Sequence, residues 1–224
     1  MQIPRLSTNS PLDKILNGGI EYGAVTNLFG PAGFGKTNIA LSTVLGCVNK
    51  VIYLDTEGSF SIERFQQLGG DEKKMKQIIL IEPDSWEKQC ETMQRLGKIM
   101  SKEKVDLIVV DSMVSLYRLE LDQDNYQTIN RGLALQYSIL SNIARKHNIP
   151  ILVTSQVYNK GEEIEITSKT VAKYWSKCMV ELTRGERENQ RMAIIRKHRS
   201  LPEGGKITFE ITQKGFKEVK FNIF

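Results

Sequence analysis

The sequence predicts an α/β fold: a mostly parallel sheet with helices on both faces, followed by antiparallel strands at the C-terminal end. Three observations carry this expectation. Compact apolar runs alternate with helix-period segments through the first three quarters of the chain, the grammar of strand–helix–strand crossovers. A glycine-rich segment, residues 30–37, separates the first such run from the first helix. After Cys178 the helical periods give way to four short runs divided by glycine and asparagine turns, as in antiparallel strands.

Taken in order, Ala24–Phe29 is the first apolar run, and Thr37–Val48 reads as the helix behind it. Val51–Leu54 is the next strand and Ser61–Leu68 a short helix. Gln77–Ile81 is strand-like. Trp86–Met100 places Met93, Leu96 and Met100 at helical spacing. Val105–Val110 is continuously apolar and β-branched, the mark of a strand covered on both faces. Tyr126–His147 reads as a long helix with Ile129, Leu133, Leu140, Ile143 and Ala144 inward, and Ile149–Thr154 as another buried strand. Met179–Leu182, Met192–Ile195, Ile207–Ile211 and Glu218–Ile223 are the late strands.

The 224 residues, 40% hydrophobic and 25% charged, exclude collagen-like, disordered and disulfide-scaffold classes. With no linker or repeat, residues 1–224 read as one core domain. No apolar run approaches the roughly 20 residues of a membrane span, and residues 1–10 lack a signal-peptide stretch. A cytoplasmic location is expected, without membrane contact. Cys47, Cys90 and Cys178 fit neither a disulfide framework nor a zinc site, and read as buried thiols. The net charge is +5, and residues 184–206, with seven basic and three acidic side chains, hold +4 of it. That stretch is either a solvated face or a surface for a polyanion.

Gly30-Pro31-Ala32-Gly33-Phe34-Gly35-Lys36-Thr37 matches G-x-x-x-x-G-K-[ST] in the strand-to-helix context that confirms a phosphate loop. Glycines let backbone N–H groups converge on phosphate oxygens, and the helix start adds its dipole. Lys36 then reaches the β/γ phosphates, and the Thr37 hydroxyl ligates Mg²⁺. ATP and Mg²⁺ are therefore the expected cofactors, with Asn38 extending the nucleotide-binding set. Asp111, at a strand tip, either holds Mg²⁺ through water or caps the next helix. Glu57 follows another strand tip, where a carboxylate can activate a water for attack on the γ-phosphate. Asp55 competes for that role. Gln156 ends a further strand, placed either to sense the γ-phosphate or to make a loop hydrogen bond.

These segments resemble the RecA-type recombinases. The phosphate loop, Asp-Thr-Glu-Gly-Ser-Phe at 55–60, Leu-Ile-Val-Val-Asp-Ser at 107–112 and Ser-Gln-Val at 155–157 stand in that family's order and spacing. Ser7–Gly23 resembles its lead-in segment, so the likeness covers nearly the whole chain and looks most like the short archaeal RadB branch. The resemblance implies a catalytic role for Glu57 with Lys36, a coupling role for Gln156 between γ-phosphate and DNA loops, and an adenine contact for Arg64. It also implies DNA, recombination or junction-processing proteins and a possible homo-oligomer as partners.

The departures matter as much. The core begins almost at Met1, where strand-exchange recombinases carry a DNA-binding domain and a Phe-x-x-Ala hook. In the first DNA loop, Leu119–Tyr126 offers Glu120, Asp122 and Asp124, which would repel phosphate. The second, about 158–170, balances Glu162, Glu163 and Glu165 against Lys160 and Lys169. Arg196-Lys197-His198-Arg199 is left as a DNA contact, a finger reaching into a neighbouring ATP site as two lysines do in the bacterial branch, or a solvated face. The expectation is an ATP- and DNA-binding accessory protein of repair and recombination, weakly ATP-hydrolysing and without strand exchange. The alternative is a nucleotide-switched assembly ATPase with no direct DNA role.

Overall fold

The computed structural model describes residues 4–160, 163–166 and 169–219. The N-terminal arm carries β1 (Arg5–Leu6), α1 (Leu12–Ile15) and β2 (Ile20–Glu21), with β1 and β2 paired antiparallel. β3 (Val25–Gly30) leads through the phosphate loop into α2 (Lys36–Val44). Next come β4 (Lys50–Asp55), α3 (Ile62–Gln67), α4 (Glu72–Met75), β5 (Ile78–Ile81), α5 (Trp86–Met100), β6 (Val105–Asp111), α6 (Ser115–Glu120) and α7 (Tyr126–His147). β7 (Ile151–Lys160), β8 (Glu163–Ile166), α8 (Lys169–Trp175), β9 (Cys178–Arg184), β10 (Gln190–His198), β11 (Lys206–Thr212) and β12 (Gly215–Glu218) carry the chain onward.

The main sheet runs β12-β11-β10-β9-β3-β7-β6-β4-β5, with β8 added to β7. From β9 to β5 the neighbours are parallel, and β9 to β12 are joined antiparallel. Both halves of the expected fold are thus present in one sheet. β6 shows why its sequence is continuously apolar. Its period-2 alternation sends Ile108 and Val110 into the core beneath α5 and α7, and Leu107 and Val109 into the core beneath α2. The first core packs Met93, Leu96, Leu133, Tyr137 and Leu140; the second packs Ile39, Leu41, Val44 and Phe65.

Local chemistry sets the helix ends. Ser85, at the N-cap of α5, accepts a hydrogen bond from the Lys88 N–H, and Ser61 and Asp71 do the same for α3 and α4. α7 stops at Asn148, in the left-handed region at φ 50°.

Several boundaries differ from the sequence expectation. α2 stops at Val44, because Leu45, Gly46 and Cys47 tighten into turns bonded to Ser42, Thr43 and Val44. β7 runs past Thr154, since β8 supplies the antiparallel partner that a loop reading of 158–170 omits. Residues 161–162 and 167–168 of that stretch, including Glu162, lie outside the described residues. The last strand begins at Gly215, because Thr212 and Gly215 close a two-residue turn; residues 220–223, expected to belong to it, lie outside the described residues. Cys47 and Cys178 are buried thiols, pushed up to about 12 by burial. Cys90 is half-buried and accepts a hydrogen bond from Gln136.

Candidate functional site

β3 ends at the centre of the sheet between β7 and β9, and its phosphate loop opens at the C-terminal ends of the parallel strands. Open α/β sheets bind ligands in that crevice. Gly30 is sterically required: a Cβ there would lie 2.2 Å from the Leu182 carbonyl oxygen, whereas one on Gly35 would meet only the movable end of the Ile211 side chain, at 2.4 Å. Both take φ angles closed to most side chains, 154° and 93°.

Lys36 is buried, and its ammonium donates to the carbonyl oxygens of Gly30 and Pro31, each at 2.9 Å. Burial lowers its pKa, against the opposing charges of Asp111 and Glu57. The ammonium thus sits over the loop that it would exchange for phosphate oxygens. Asp111, at the tip of β6, is also buried. It accepts hydrogen bonds from Thr154 at 2.5 Å and Tyr53 at 2.9 Å, and the Thr37 hydroxyl lies beside it. Burial raises its pKa, and the three hydroxyls work against the rise.

The Thr37–Asp111 contact puts a hydroxyl and a carboxylate together as hard oxygen donors. Among the described residues no group of three or more His, Cys, Asp or Glu side chains could hold a metal ion. Mg²⁺ is usually held by one or two protein oxygens with substrate phosphates and water, and the Thr37 and Asp111 oxygens are donors of that kind.

Glu57 lies just beyond β4, exposed to solvent. Its carboxylate accepts from the Ser112 hydroxyl at 2.6 Å and from the Gln156 amide at 2.9 and 3.1 Å. The structure therefore joins Glu57 and Gln156 directly. Asp55 is occupied elsewhere: buried, it accepts from the backbone N–H of Glu57 and Phe60 and shapes the turn. Arg64 donates to Asn38 at 2.5 Å, to Gln67 and to the Gln213 carbonyl, and its Nη2 is buried without a partner. Burial lowers its pKa. It thus spans α2 and the β11–β12 turn.

Sequence reading passes over four neighbours of this site. Ser112 orients Glu57, while Tyr53 and Thr154 orient Asp111. The Arg191 guanidinium lies 5.0 Å from the ring centroid of Phe34 in the phosphate loop. Ser112 stands beside Asp111, and Thr154 occupies a strand tip, so position offered a signal for both. For Arg191 there was none.

The basic stretch 184–206 is split between the two ends of the sheet. Arg184 and Arg191 pair at the nucleotide end, whereas His198 pairs with Cys178 at the opposite end. The four hairpin side chains are also more engaged than an open face implies. Arg196 donates to Glu181 at 2.5 Å, and Lys197 to the carbonyl oxygens of Lys173 and Ser176. The His198 side chain is only 1% exposed, and Arg199 is ion-paired with the buried Glu21. Of the four, His198 turns inward, because Glu21 and the Ser200 and Leu201 N–H groups hold it. In the first loop, Asp122 likewise accepts the Asp124 and Asn125 N–H groups before α7.

The Rad51 family profile matches residues 1–219. The chain belongs to the Rad51 family. It is 37% identical over 223 residues to the DNA repair and recombination protein RadB of Methanobrevibacter smithii, covering 94% of each chain. It is 42% identical over 213 residues to RadB of Methanococcus maripaludis strain C7, covering 92% of this chain and 97% of that one. A crystal structure of the RadB recombinase superposes with a TM-score of 0.84 at 34% identity, covering 96% of this chain and all of that one. Within the Rad51 family this is an archaeal RadB-type paralogue of the RecA-fold recombinases.

Proposed function

We propose that this Rad51-family protein binds ATP and DNA as an accessory factor of DNA repair and homologous recombination, hydrolyses ATP weakly, and performs no strand exchange of its own. The carrying observation is the convergence of Lys36, Thr37–Asp111 and the Glu57–Gln156 pair on one end of the sheet. Gly30 to Asn38 with Arg64 would form the nucleotide pocket. Mg²⁺, when bound by Thr37 and Asp111 with the phosphates, supplies charge neutralisation at the γ-phosphate. Glu57 would take a proton from the attacking water. In the bonds seen here its carboxylate is shared between Ser112 and Gln156, which supports slow turnover. Gln156, on β7, would report the γ-phosphate to the β7–β8 pairing that begins at Val157.

The names of the RadB relatives support the repair and recombination role. Exposed Glu120, Asp122 and Asp124 support the absence of strand exchange, since carboxylates in a central channel repel DNA. DNA would instead be held by the Arg196–Arg199 hairpin, where Arg196 and Arg199 remain exposed. The internal bonds of that hairpin favour the second reading, a nucleotide-switched assembly ATPase without direct DNA contact.

The deciding experiment measures DNA affinity across salt concentrations, with and without ATP, alongside ATP turnover. Salt-sensitive DNA binding and slow turnover are expected. Turnover without any DNA binding at low salt would select the second reading.

A further inference from the structure

The N-terminal ends of the parallel strands, the end of the sheet remote from the phosphate loop, carry lysines from one strand to the next. Lys197 ends β10 beside the start of β9, and Lys177 precedes β9. Lys146 lies in the last turn of α7 ahead of β7, and Lys102 and Lys104 precede β6. Backbone bonds fix their neighbourhood: Lys177 N–H to Val25, Gly23 N–H to Ile149, and Lys50 N–H to Lys104.

Lys102, Lys104, Lys146 and Lys177 are exposed, and none is ion-paired among the described residues. The acids at this end are fewer than the lysines. Glu21 is buried against Arg5 and Arg199, while Asp106, which accepts from Val48 and Asn49, keeps its charge and offsets part of that of Lys104. Glu103 and Glu203 remain exposed.

A helix dipole accounts for a lysine at the end of α7, since cations there meet the negative pole. It accounts in part for Lys177, two residues beyond α8, but not for Lys104, four residues beyond α5. Like charges also crowd here: after burial, Lys177 and Lys173 are what hold the Lys197 ammonium below its ordinary pKa. Glu203 offsets part of this repulsion, and the remainder is a cost that an anionic partner removes.

We propose that this end of the sheet is a surface for the phosphodiester backbone of DNA, bound without regard to sequence and centred on Lys104, Lys146 and Lys177. The proposal rests on the DNA-binding reading above and extends it well beyond the hairpin. From β10 to β6 is four strand steps, about 19 Å at ~4.8 Å each. That spans roughly five or six phosphates along one strand of a duplex. ATP at the opposite end of the strands would not compete for the same surface.

The test compares DNA affinity against salt for the wild-type chain and a triple variant, Lys104→Ala with Lys146→Ala and Lys177→Ala. The slope of log affinity against log salt should fall by about 2–3, at ~0.7–0.9 for each phosphate no longer neutralised. Affinity should weaken alike on all sequences, with nucleotide affinity unchanged. The triple Arg variant at the same positions should keep the slope. A charge-matched control, Lys88→Ala with Arg95→Ala and Lys217→Ala, should change it little. A wild-type chain that binds no DNA defeats the DNA reading and this surface together. A wild-type chain that binds, with an unaltered slope in the triple variant or an equal drop in the control, defeats the surface and leaves the DNA reading standing.

Discussion

Lys36 shows how one side chain can matter for ligand and little for fold. Among the described residues its ammonium bonds only its own loop carbonyls, so Lys36→Ala should abolish ATP binding while the thermal midpoint of the free protein stays nearly unchanged. Titration with a fluorescent ATP analogue and a melting curve check both halves. Glu57 and Asp55 are two carboxylates at one strand tip with different employment, one exposed beside Gln156 and one buried in its turn. Glu57→Gln should therefore retain ATP and lower turnover by about 10²–10⁴-fold, read by phosphate release. Asp55→Asn should instead lower stability. If Asp55→Asn stops hydrolysis on an intact fold and Glu57→Gln does not, the base is misassigned. The phosphate loop was legible because its residues are contiguous and its chemistry tolerates few substitutes. Tyr53 was not, because it meets Asp111 only through the register of β4 and β6, and Ser112 and Thr154 carried no more than the signal of their positions.

At the scale of elements, periodicity located the long helices and the buried strands. α5 and α7 follow their expected spans because one apolar stripe faces one core. The short elements β1, β2, α1, α4, α6 and α8 carry too few residues for a period to show, and are set by partners far along the chain. Caps are the exception, legible and local. Ser85→Ala removes the side-chain acceptor for the Lys88 N–H of α5 and should cost about 1 kcal/mol. In a chain of this length that lowers the midpoint by roughly 2–4 °C. Calorimetry of Ser85→Ala against Ser85→Asn, which keeps an acceptor, checks it: equal losses would assign the effect to something other than the cap.

Across the whole molecule, one buried carboxylate ties the N-terminal arm to the C-terminal strands. Glu21, on β2, bonds Arg5 of β1 at 3.2 Å, Ser200 at 2.7 Å and Arg199, with His198 Nε2 at 3.9 Å. No sequence signal joins positions nearly 180 residues apart; the register of β9, β10 and β3 does. Glu21→Gln leaves Arg5 and Arg199 without their shared partner. Breaking a buried pair in this way costs about 3 kcal/mol, or roughly 6–12 °C of midpoint for a chain of this size. Its acid dependence follows from the signs. Burial pushes the Glu21 carboxyl up, but the Ser200 and Arg199 bonds and the charges of Arg199 and His198 outweigh it, and its pKa ends below the ordinary 4.5. A lowered carboxylate contributes stability that is full above 4.5 and lost as pH falls from there through the lower folded value. His198, lowered from 6.5 chiefly by burial, acts in the same direction from a higher starting point. The fold disfavours its protonated form, so stability also drains as pH falls from 6.5. The wild-type midpoint should thus decline in two stages on acidification. Glu21→Gln, already less stable at pH 7, should lose its own share of the decline below 4.5 and keep a stage beginning near 6.5. A variant whose midpoint tracked the wild type in parallel down to pH 3.5 would show that Glu21 does not carry the acid-labile link between the two ends of the chain.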